Sequence, residues 1–183
     1  MISEAVRPSL MAPGWQVPSG MAMTVDVVEF TRADPAPLVE HLERLADAND
    51  GNGWINFGPA LSAEEFSAVP HKSGLGKWFS GRGPAVPMAT WTPGLDGARP
   101  RAAQVGVEHG TGPNALDRLE EVGHRLPGDW LKKQDHAKHG IVAELPPAAD
   151  PMSTVQWLVR AMAELSPLIS TGDEWIAEVH SAD

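Results

Sequence analysis

Cysteine is missing from the 183-residue chain, and so is tyrosine. Without a thiol there is no disulfide, no thiolate nucleophile, no zinc finger and no thiolate-held iron–sulfur cluster. No apolar run approaches the roughly 18 residues that span a bilayer. No charged segment leading into an apolar one marks a secretory leader near Met1. Positive charge is scarce, with 14 Lys and Arg against 24 Asp and Glu, for a net charge of -10. That balance argues against a general nucleic-acid binder. These absences lead us to expect a cytoplasmic protein that does not engage a membrane.

Hydrophobic residues make up 42% of the chain, enough for a real core. Residues 1–22 hold Pro8, Pro13 and Pro18 with Gly14 and Gly20 and no apolar period, which reads as a loose arm. Residues 23–94 read as an α+β half. TVDVVEF (24–30) and WINFGPA (54–60) are β-branched or aromatic strands. Between them Leu38, Leu42 and Leu45 recur at helical spacing after the start signal Asp34-Pro35, and Gly51 and Gly53 are expected to end the helix. PAVPMATW (84–91) is a further strand, which Pro84 and Pro87 confine to an edge or delay. The turn-rich TPGLDGARP separates this half from the next.

Residues 100–183 read as strand (101–109), helix (113–126), two strands (129–136 and 140–146) joined by a tight turn, helix from Pro151 and strand (174–181). Asp150 before Pro151 is a cap signal. This βαββαβ order predicts a ferredoxin-like half with strand order 4-1-3-2. The first half runs in parallel: VVEF, PLVEHLERL and GNGW against GVEH, NALDRLEEV and PGDW. It therefore reads as a related βαβ-β unit that shares the antiparallel sheet or packs against it. Phe30 then corresponds to His109, and Trp54 to Trp130.

In a ferredoxin-like sheet the first two strands end at one edge, where the first helix begins. That edge gathers His109, Thr111, Asp135, His136, Lys138 and His139, with His180 at the opposite edge. Histidines beside a helix N-terminus suit an anion, a phosphate group above all. The Gly110-Thr111-Gly112 loop lets backbone approach a ligand, and Pro113 suits the first helical position. The plainer readings are a strand-end His109 tucked under the helix, a capping Thr111, and an Asp135 that braces the turn with His139. The spacings Asp135–His136 and His136–His139 match no metal signature, so neither metal nor other cofactor is expected. The triplet His109-Gly110-Thr111 resembles the His-x-Thr element of two-histidine phosphoesterases. That family needs a second such triplet, and His180-Ser181-Ala182 does not supply it, so no role is carried over.

A second candidate is the loop HKSGLGKWFSGRG (71–83). Lys72, Lys77 and Arg82 stand there with no acidic residue between Phe66 and Leu95. Cations beside Trp78 and Phe79 suit phosphates. Lys77 and Arg82 thus join the candidate set. Trp157 is expected as an interface residue if it falls outside the apolar stripe of its helix. Two functions follow. The first is a non-catalytic interaction or ligand-binding protein that uses its sheet face, paired as a homodimer by analogy with related sheets. The alternative is an enzyme or binder for a small anionic ligand at the His109/His136/His139 edge. No reaction is assigned.

Overall fold

A computed structural model describes residues 23–62, 65, 83–166 and 172–182. The arm 1–22 and the cations Lys77 and Arg82 lie outside these residues. The elements run β1 (Met23–Thr31), α1 (Ala36–Ala48), β2 (Trp54–Pro59), β3 (Met88–Thr92), β4 (Gln104–Glu108), α2 (Ala115–Glu121), β5 (Leu131–His136), β6 (Gly140–Glu144), α3 (Pro151–Glu164) and β7 (Glu174–Ala182). The strands form one antiparallel sheet of seven, ordered β1-β7-β2-β3-β4-β6-β5. The protein is α+β, and both halves share that sheet.

Period-two alternation sets its inner face. Ile55 and Phe57, Ala89 and Trp91, Val105 and Val107, Ile141 and Ala143, and Trp175, Ala177 and Val179 are all buried. On α1, Leu38, Val39, Leu42 and Leu45 are buried. On α3, Val155, Leu158, Val159 and Met162 are buried. The two stripes join the inner face in one cluster. Local signals place these helices. The Asp34 carboxylate accepts from Ala36 N at 3.3 Å, and left-handed Asn49 closes α1, two residues before the first of the glycines expected to end it. Asp150 caps α3 by accepting from Ser153 N at 2.7 Å, with Pro151 just inside.

The strand order departs from a ferredoxin-like sheet. β4, β6 and β5 keep the 1-3-2 part, but β7 is not beside β4. β3 occupies that side of β4, with Trp91 opposite Val105. β7 instead lies between β1 and β2, where Trp175 meets Phe30 and Ala177 meets Phe57. Alternating antiparallel neighbours make β1 and β2 parallel around β7, and β4 and β5 parallel around β6. The fold thus contains two split βαβ units side by side. β3 begins directly after Pro87 and is central, since it pairs on both sides.

α2 is shorter than the 113–126 expected. Asn114 adopts a left-handed φ of 60° just before it, so Pro113 does not open the helix. Gly123, at φ 72°, closes it, with His124 N donating to Leu119 O at 2.7 Å. Val122 is therefore outside the apolar stripe and exposed. Trp157 is a core residue. Its Nε1 donates to Arg125 O at 2.9 Å, and its ring lies against His124 and Trp130. Trp54 faces away from the helices while Trp130 packs toward them, so the two are not equivalent in packing.

Gly140 opens β6 at φ +72°, and a Cβ there would sit 2.0 Å from Val107 O. Gly140→Ala should cost more than about 2 kcal/mol, through both the left-handed backbone and the clash. The check is the urea midpoint, with Gly128→Ala, which meets nothing within 4 Å, as the near-neutral control.

Candidate functional site

The ends of β4 and β5, the start of α2 and the β5–β6 turn lie at one edge of the sheet, as their directions require. The expected residues divide there between two environments. Asp135 faces the helices from β5. Its two carboxylate oxygens accept from Ala115 N and Leu116 N, each at 3.2 Å. The positive end of α2 is thereby answered by a side chain of the protein itself. His109 is fully buried beside it, and its Nδ1 lies 2.9 Å from Thr111 Oγ1. Nε2 of His109 has no hydrogen-bond partner among the described residues. Burial holds this imidazole below its usual range, against the opposing pull of Asp135 and with a smaller push from Arg118. Arg118 also donates to the Thr111 carbonyl.

His136, Lys138 and His139 lie outside, on the exposed turn. The rings of His136 and His139 stack with centroids 4.9 Å apart. His136 Nδ1 accepts from Lys138 N at 3.1 Å and His139 N at 3.3 Å, so its neutral form carries the proton on Nε2. The structure therefore brings His109, Thr111 and Asp135 together inside, and His136, Lys138 and His139 together outside. Among the described residues no three His, Asp or Glu side chains are placed to hold a metal ion.

The opposite face of the sheet holds a groove of about 190 Å³ over β3, β4 and β6, while Asn56 of β2 on the same face is buried. Register explains the groove. Thr90, Gly106 and Val142 form one row across β3, β4 and β6, and Gly106 leaves its middle without a side chain. Thr92 and Gln104 border one end, Glu108 and His139 the other. Among the described residues a Cβ on Gly106 would meet only Ile141 O at 3.7 Å, so no close approach there forces the space. Partial burial raises the Glu108 carboxyl above its usual range, and His139 pulls it back down. The walls are held by polar pairs. Thr90 Oγ1 donates to Asn56 Oδ1 at 2.8 Å. Gln104 Nε2 donates to Glu144 at 3.4 Å, where Lys133 also binds at 3.1 Å. Farther along this face His180 stacks on Trp54 at 4.3 Å, with Glu178 3.8 Å from its Nε2.

Thr90, Thr92, Gln104, Glu108 and Val142 were not among the residues expected from sequence. One signal was available: in QVGVE a glycine interrupts a β-branched alternation, the usual mark of a close approach or a kept space. No family profile matches the chain, and neither a curated protein nor a solved structure matches it.

Two outcomes test this description. Asp135→Ala should cost about 1–2 kcal/mol, because two N–H groups of α2 lose their acceptor. Asp135→Asn should recover part of that in urea titrations. His109, His124 and His180 all sit below their usual range, each mainly through burial. The unfolded chain therefore takes up protons that the folded chain refuses. Their contribution is complete above the ordinary histidine value of 6.5 and is lost as pH falls below it. Glu108 acts in the opposite sense, from the ordinary carboxylate value of 4.5 upward. The urea midpoint should thus fall between about pH 7 and pH 6, and His109→Leu should flatten that decline.

Proposed function

We propose that the chain is a binding protein that acts through the outward face of its sheet, with the groove over Gly106 as the ligand seat. Gly106 carries this reading. A glycine inside a strand costs roughly 0.5–1 kcal/mol relative to alanine. Here its Cβ position is open and its backbone φ is not the left-handed one that demands glycine. A larger residue would fit and would stabilise the strand, so the space has a use other than folding. The groove offers threonine hydroxyls and a partly desolvated carboxylate that has no Lys or Arg ion pair among the described residues. Such a surface suits a small ligand that presents hydrogen-bond donors or positive charge.

An anionic ligand at the histidine edge is the less supported reading. The N–H groups that would hold it already bind Asp135, and His109 is enclosed. Common descent of the two split βαβ units and a cytoplasmic setting fit the proposal and rest on the sequence parallels and the lack of cysteine.

Backbone amide shifts in a titration with ethylammonium, guanidinium, acetate and inorganic phosphate test the reading. The cations should move Thr90, Gly106 and Val142. Gly106→Val should abolish those shifts while the thermal midpoint stays level or rises by the equivalent of about 0.5–1 kcal/mol. Phosphate shifts confined to His136 and His139 would favour the anion site instead. No shift on the outward face with any probe removes the basis of the proposal.

A further inference from the structure

Among the described residues the sheet has two edges, and they differ. At one edge β5 is short and irregular, with a register shift between Lys132 and Gln134, and it exposes Lys132 and Lys133. A bulge and lysines are the usual means by which an edge strand is kept from pairing with another chain. β1 at the other edge has neither. It is nine residues long and pairs with β7 in unbroken register from Met23 to Thr31. It contains no Lys, Arg or Pro. Thr24 to Val27 and Glu29 are exposed, with Val25 at 51% and Val27 at 41%, so both sides of the strand are open to solvent.

We propose that β1 is a dimerisation edge and pairs, antiparallel and centred on Val27, with β1 of a second copy of this chain. The strand is self-complementary in that register. Its midpoint is Val27, so all nine residues find partners. A two-fold axis perpendicular to the sheet keeps the helices of both copies on one side, and it allows only pairs whose side chains share a face. In the full-length register Val27 meets Val27, Val25 meets Glu29 and Asp26 meets Val28. No acidic residue lies directly opposite another. A shift of the axis to Asp26 would place that carboxylate against its own copy, which is repulsive. Asp26 also has Arg44 of α1 at 3.4 Å, which offsets its charge at the seam. Val25 and Val27 of both copies would meet on the outward face and cover the most exposed apolar part of β1. The preceding segment 1–22 is the other source of a strand, but its three prolines remove ladder donors.

Sedimentation equilibrium of the full chain over a concentration series tests the proposal. The expected species has twice the 19.5 kDa mass of one chain. The register makes two similar substitutions behave differently. Val27→Lys sets lysine against lysine at the axis and should weaken dimerisation by about tenfold or more. Val25→Lys sets lysine against Glu29 of the second copy and should preserve or strengthen it. Both sites are exposed, and circular dichroism verifies the fold of each variant. As an independent readout, β1 amides of the unaltered chain should exchange more slowly as concentration rises. A monomer at every concentration overturns the proposal. So does a dimer that both substitutions weaken equally or that neither affects.

Discussion

Contact between one face of the sheet and the apolar stripes of α1 and α3 is the interaction on which the rest of the structure depends. Phe57, Ile55, Leu38, Leu42, Leu158 and Met162 are all removed from water in it. At about 25 cal/mol per Å² of apolar surface, residues of this size dominate the favourable side of folding. Because this packing uses one face, it gives every strand two kinds of position. Inward positions are committed to the core. Outward positions are free to take residues for other reasons, and Gly106, Glu108, Trp54 and His180 all stand there.

The same division explains the fate of the histidine edge. Neighbouring residues on a strand point to opposite faces, so Asp135 and His136 cannot serve one site on one side. Asp135 turns inward to hold the first N–H groups of α2, and His136 turns outward to the stacked pair with His139. His109 goes inward with the valines that precede it. Its burial is compatible with a neutral ring.

Much of the local structure was legible in the residues. The alternation in WINF and QVGV marked β2 and β4, and Asp150-Pro151 marked the start of α3, because these signals act within a few residues. The two ends of α2 were not legible, since they turn on the left-handed backbone of Asn114 before it and Gly123 after it rather than on a change in apolar spacing. Strand order was not legible either. Which side of β4 takes a partner depends on β3, and the choice between two apolar strands of similar pattern is made by packing across the whole sheet. For the site, the placement of Asp135, His136 and His139 at one edge followed from strand direction. The groove did not, because its floor is the absence of a side chain and its walls come from three strands distant in sequence.

The location of β7 between β1 and β2 has a consequence for how the chain is made. Met23 pairs with Ala182, so β1 waits for β7. β1 and β2 cannot complete their sheet while the ribosome is still building the second half. The β4–β6–β5 group is local in sequence and can close earlier, and it gives β3 and β2 an edge on which to assemble. Until β7 is made, β1 has no sheet partner among the described residues, whereas β2 can already pair with β3. β1 would thus join the sheet with β7 rather than in its order along the chain.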